Sequence, residues 1–120
     1  FNNLALSYFV GKDVSEASPQ MLVFGDRNIV GSSTTQTLPS PIPNDGFGNS
    51  PVNGSGQTVV LGTNFAANAS APAWTDRMHL KQGNVLLSDG SVQGYSSAKL
   101  RDALRNSGDT SASANTVLFP

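Results

Sequence analysis

Apolar residues fall in short runs along this chain, with polar and turn-forming residues gathered between them. Residues 4–10 (LALSYFV) have the apolar, aromatic and β-branched make-up of a strand, although Leu4-Ala5-Leu6 blurs the alternation. Gly11-Lys12-Asp13 breaks the run, and Pro19 pushes Ser18 out of the α region, so residues 15–19 hold one helical turn at most. Residues 21–30 (MLVFGDRNIV) restart a strand, with a bulge or bend expected at Gly25-Asp26. The two runs are close enough in sequence to pair antiparallel around the Ser-Pro turn.

Residues 31–57 contain four Pro, repeated Gly and few large apolar side chains, so a long irregular loop is expected there. A connection of that length inside a small domain is usually functional, mobile or bound to something. Residues 58–61 (TVVL) make a short strand, and a stretch of small residues at 64–73 leads to Trp74.

The last third is more regular. Residues 84–88 and 91–95 are strand-like and flank Asp89-Gly90, the signal for a hairpin with a tight primed turn and positive φ at both central residues. Ser96 or Ser97 caps a helix over residues 98–106, with Leu100, Ala103 and Leu104 on its apolar face. Lys99, Arg101, Asp102 and Arg105 fall on its wet side, and Gly108 lies where a left-handed C-cap belongs. Residues 116–119 (TVLF) make a closing strand. The sum is an α+β domain, a small antiparallel sheet with hairpins, one short C-terminal helix and long loops, in a single unit over residues 1–120.

Composition narrows the function. Charged residues make up 12% of 120 positions, about half the usual share, and the net charge is −1. No dense positive face can form, so nucleic acid is not an expected partner. Cysteine is absent, which excludes disulfides, thiolate zinc sites and Cys nucleophiles. No apolar run reaches the roughly 20 residues of a membrane span. The chain opens at Phe1 without Met or signal peptide, as a piece of a longer protein would.

Candidate chemistry is sparse. His79 is the only histidine and Glu16 the only glutamate, and no Ser lies in a Gly-x-Ser-x-Gly elbow, so a hydrolase built on His79 is the weakest reading and no enzyme is expected. The oxygen-rich stretch at 44–49, with Asn44, Asp45 and Asn49 as ligands, suits calcium but lacks the spacing of an EF-hand; Asn106 to Asp109 is a weaker second candidate. The glycines at 53–57 do not lead from a strand into a helix, which sets phosphate binding aside. Trp74, the only Trp, is a possible stacking contact for a glycan, against the commoner role of a core anchor.

One spacing stands out. His79, nine residues and then Asp89-Gly90, with Gly83-Asn84 between and Leu100-Arg101 after, resembles the C-terminal signature of the prepilin-type H-x9-DG proteins of Planctomycetes and Verrucomicrobia. Ser7 to Gly11, Pro19-Gln20 and residues 25–28 (GDRN) look like the Verrucomicrobial branch, which is similar to the G-type pseudopilins of type II secretion. The resemblance covers the first thirty and final fifty residues. It implies a pilin-like globular domain lacking its N-terminal helix, facing the periplasm of the cell envelope and anchored to the inner membrane through that helix. Its partners would be other pseudopilin subunits and the secretion machinery. G-type pseudopilins also bind calcium in a C-terminal loop, whose ligands the resemblance does not assign here.

A purely structural sense of the motif stands beside this. Asp89-Gly90 turns the hairpin, and His79 orients it through a ring N–H to a backbone carbonyl or to Asp89. The spacing is then a register constraint, since a one-residue slip would turn every side chain over. The alternative function is a secreted calcium- or glycan-binding module.

Overall fold

The computed structural model describes residues 7–31, 57–65, 71–76 and 79–120. Strands β1 (Tyr8–Gly11), β2 (Leu22–Asp26), β3 (Ile29–Val30), β4 (Gln57–Val60), β5 (Ala73–Trp74), β6 (Gln82–Leu87) and β7 (Val92–Ser96) precede helix α1 (Ser97–Arg105) and strand β8 (Thr116–Phe119). Six strands form one antiparallel sheet in the order β4-β8-β1-β2-β6-β7, and β3 pairs with β5 in a second, two-stranded sheet. The described residues therefore form a small α+β fold, mostly antiparallel sheet with one short helix. Among the described residues no helix is long and apolar enough to cross a membrane.

Alternation builds the core. Phe9, Val59, Val85, Leu87, Val117 and Phe119 point to one face of the large sheet, where Leu100 and Leu104 of α1 join Ile29, Leu61, Phe65 and Trp74. The Phe9 and Phe119 rings meet at a centroid distance of 5.7 Å. Opposite Phe9 in the ladder stands Gly25, and a Cβ there would lie 2.4 Å from the Phe9 ring, so the missing side chain makes room for the aromatic. The closing strand β8 is interior, inserted between β4 and β1.

Several local expectations change. The run at 21–30 is two strands in two sheets, because buried Asn28 turns away. Its Nδ2 donates to the Thr75 carbonyl and its own carbonyl accepts the Thr75 amide, which aligns β3 with β5. The bulge falls at Val23, since Leu22 faces Leu87 while Phe24 faces Leu86; Gly25 is in regular register. In the β6–β7 hairpin only Gly90 has positive φ, 86°. The Gly90 amide donates to the Leu87 carbonyl and the Leu87 amide to the Ser91 carbonyl, the pattern of a three-residue loop closed by a glycine bulge rather than a primed two-residue turn.

Helix α1 starts one residue earlier than expected, with Ser96 as its N-cap accepting the Lys99 amide at 3.3 Å. Gly108 is left-handed, but two residues beyond the C-cap Asn106. Arg101 is half-buried, its Nη1 donating to the Pro72 carbonyl at 3.2 Å, and so does not join the wet side. The loop expected at 31–57 lies almost wholly outside the described residues, as do residues 4–6 of the first run.

Candidate functional site

The side of the large sheet turned away from α1 is apolar as well. Register places Leu118 opposite Val10, Val10 opposite Phe24, Phe24 opposite Leu86 and Leu86 opposite Val92, one cross-strand row over five adjacent strands. Phe24 is 44% exposed and Val92 68%, with Val10 and Leu118 also open to solvent. Beside this row Tyr8, 60% exposed, stands opposite Asp26. Together these side chains present on the order of 400 Å² of apolar surface, the size of the largest patch on a typical soluble domain and commonly a contact site.

A shallow groove of about 350 Å³ runs along this face, lined among others by Tyr8, Phe24, Leu86, Val92, Asp26, His79 and Asn84. Its polar end is built by β2, β6 and the turn before β6. His79, Leu80 and Lys81 all have left-handed backbone, with φ of 43°, 50° and 64°. Such residues without glycine each cost about 1–2 kcal/mol. The turn is closed by the Lys81 amide donating to the Thr75 carbonyl at 3.1 Å. It brings His79 Nε2 to 3.6 Å from Asp26 Oδ2, with the imidazole half-exposed and the carboxylate only 10% exposed. The same Oδ2 accepts the Asn84 backbone N–H at 2.7 Å. Asp26 thus fastens the end of β2 to the start of β6 and holds His79 on the rim of the apolar face.

The residues of the His-x9-Asp-Gly signature do not converge. His79 and Asn84 meet through Asp26, whereas Asp89 and Gly90 lie at the far end of β6, roughly 20 Å along the strand at about 3.4 Å per residue. Asp89 is consequently not the partner of His79. Its Oδ1 accepts the Ser91 amide at 2.8 Å and the Ser91 hydroxyl at 2.6 Å, and these bonds hold its carboxyl below the usual range. Gly83 faces the core, where a Cβ would lie 2.6 Å from the Trp74 ring.

Trp74 is 3% exposed, seated over Gly83 with its amide donating to Ser97 Oγ at 2.9 Å. It offers no stacking face to a glycan, and the expectation of a ligand contact is corrected: the absent side chain at 83 draws the ring into the core. The calcium ligands expected at Asn44, Asp45 and Asn49 lie outside the described residues. Among the described residues no three His, Cys, Asp or Glu side chains cluster as a metal site. At the weaker candidate, Asp109, both carboxylate oxygens are engaged by the protein's own amides, Ser111 at 3.0 Å and Asn115 at 2.9 Å.

Two features escape a reading of the sequence alone. One is the role of Asp26, which local pattern marks only as part of a bulge, and the other is the outer apolar row. The signal for the row is present nonetheless: Tyr8-Phe9-Val10, Leu22-Val23-Phe24, Val85-Leu86-Leu87 and Val117-Leu118-Phe119 are apolar at successive positions. A strand that is apolar at both parities has two faces to cover. Set beside family models, curated proteins and solved structures, the chain matches none.

Proposed function

We propose that this chain is the globular, periplasmic part of a pseudopilin-like subunit of a type II secretion or type IV pilus-like system, acting by assembly and protein–protein contact rather than by catalysis. The observation that carries the reading is the apolar row on the outer face of the sheet. A globular domain whose only task were to fold would gain nothing from Phe24 and Val92 in water. Spread over five strands spaced about 4.8 Å apart, the row is roughly 19 Å long, which roughly 13 residues of apolar helix laid across the strands would cover. Covering on the order of 400 Å² is favourable by up to about 10 kcal/mol, enough to fix a helix against the sheet. The spacing of His79 from Asp89-Gly90, with its resemblance to the H-x9-DG proteins, supports the same reading. In it, His79 and Asp26 hold the rim of the docking face in register and perform no chemistry.

The test uses the native, full-length protein. These 120 residues contain no cysteine, so Phe24→Cys or Leu118→Cys introduces a single thiol into them. The reading expects membrane partitioning through a roughly 20-residue apolar helix with a processed, methylated N-terminus. It also expects disulfide formation between a cysteine on that helix and the thiol introduced at position 24 or 118. A native protein that stays in the aqueous fraction and carries no such helix, with the Phe24→Cys variant freely labelled by a polar maleimide, overturns it.

A further inference from the structure

The large sheet ends at β7, and among the described residues no strand pairs with its outer edge. Which backbone groups face that edge follows from the hairpin. Leu87 and Ser91 are a hydrogen-bonded pair, so bonding alternates through Val85–Gln93 and Gly83–Tyr95. The amides and carbonyls of Val92, Gly94 and Ser96 therefore point away from β6. The Asn84 amide fixes the same phase independently: standing opposite Gly94, it turns from β7 and donates to Asp26.

Edge strands of soluble proteins are normally blunted by charge, proline or a bulge. Strand β7 (VQGYS) has no charged residue and no proline, and pairs with β6 over five consecutive positions without a shift. Val92, the most open residue of the outer apolar row within the sheet, stands on this strand.

We propose that β7 is a strand-pairing edge whose occupant is a second copy of this chain, joined antiparallel about a two-fold axis through Gly94. That register is self-complementary. Gly94 meets Gly94 of the other copy as a hydrogen-bonded pair, and Val92 meets Ser96 with the Ser96 amide donating to the Val92 carbonyl; the Ser96 carbonyl serves the first turn of α1. About four inter-chain backbone bonds result. No side chain occupies the axis on the outer face, and an uncharged strand brings no like charges together. Because the axis stands perpendicular to the sheet, both apolar outer faces emerge on one side of a continuous sheet. With so small a contact, association is weak, with Kd on the order of 100 μM. The proposal does not depend on the pseudopilin reading, since it concerns the edge and not the face.

The experiment is sedimentation equilibrium of the 120-residue chain between about 5 and 500 μM, with amide exchange followed at both ends of the range. The expected result is a monomer–dimer equilibrium in which exchange at Gly94 and Ser96 slows at least tenfold at high concentration. Gln93 and Tyr95, already bonded to β6, stay unchanged. Gly94→Asp places two carboxylates face to face only in the dimer, and a Cβ at 94 meets nothing closer than Asn84 Oδ1 at 3.7 Å, so the fold accommodates it. It should weaken the dimer at least tenfold, with partial recovery in high salt, while Gly94→Ala retains it. A chain that is monomeric throughout overturns the proposal, as does a dimer indifferent to Gly94→Asp or one broken by Phe24→Lys alone. Should Gly94→Asp fail to fold, the concentration dependence of Gly94 and Ser96 exchange in the parent decides.

Discussion

Asp26 and His79 form a pair in which the two partners are expected to contribute very unequally, and their substitution separates the roles. The Asp26 carboxylate is 10% exposed and accepts the Asn84 amide at 2.7 Å, while the imidazole 3.6 Å away is half-exposed. A hydrogen bond to a charged acceptor contributes about 1.5–3 kcal/mol, and its loss strands a part-buried donor in β6. A side-chain contact of that length open to water contributes about 0–1 kcal/mol. Asp26→Ala should therefore destabilise by about 2–3 kcal/mol, His79→Ala by less than about 1 kcal/mol, and the double variant should show coupling below about 1 kcal/mol. For a domain of this size that is roughly 8–15 °C in Tm for Asp26→Ala and under about 4 °C for His79→Ala. Asp26→Asn keeps an acceptor oxygen and should recover about half of the loss. Urea unfolding followed by fluorescence reports this directly, because Trp74 is the only Trp and is buried. The reasoning is refuted if Asp26→Ala melts with the parent, or if His79→Ala costs more than Asp26→Ala.

Four further outcomes are expected. Gly83→Ala drives a Cβ to within 2.6 Å of the Trp74 ring and should cost about 1–3 kcal/mol, with a red shift of Trp emission marking the displaced ring. Leu80→Gly relieves a left-handed residue that is 78% exposed and should raise stability by about 0.5–1 kcal/mol in the same urea titration. Burial pushes the Asp109 carboxyl up, but the amides of Asn115 and Ser111 and the Ser111 side chain more than offset this and leave it below 3.8. The stabilisation is therefore complete above pH 3.8 and lost as pH falls through the lower folded value, so Asp109→Asn should flatten the acid limb of a stability–pH curve. Phe24→Ser, on the outer face, should cost the isolated chain about 1–3 kcal/mol, since more than half of the side chain is covered, and should abolish crosslinking to a covering helix in the full-length protein.

How legible the fold is depends on how local each signal is. The hairpin, the short helix with its Ser96 cap and the strand at 116–119 can be read because turn residues, 3.6-residue periodicity and a capping serine all act within a few positions. The break at Arg27-Asn28 cannot, because it rests on hydrogen bonds between Asn28 and Thr75, far along the chain. The insertion of β8 between β1 and β4 is likewise a long-range choice with no local mark. Trp74 is ambiguous for a related reason: its burial depends on a glycine at 83, and nothing in the sequence says that the two positions face each other. The sequence marks an irregularity at Gly25-Asp26, whereas the bulge falls at Val23, and the purpose of Asp26 is not legible because the Asn84 amide it accepts lies in β6.

The apolar outer face shows where sequence reading and function meet. Alternation is normally the device by which a strand tells core from water, and this sheet gives it up in its central strands while keeping it at the rim. In β1, β2, β6 and β8 an apolar residue stands at both parities, whereas beside the row the outer positions on β2, β6 and β7 are Asp26, Asn84 and Gly94. A loss of alternation through poor packing would be scattered; this one is in register across five strands and bordered by a buried carboxylate that fixes the register. The same bond that fastens β2 to β6 keeps Phe24 opposite Leu86, so one residue secures both the fold and the alignment of the surface. Weakening Asp26 should consequently blur the face before it unfolds the domain, which ties the stability of β2 to whatever the row covers.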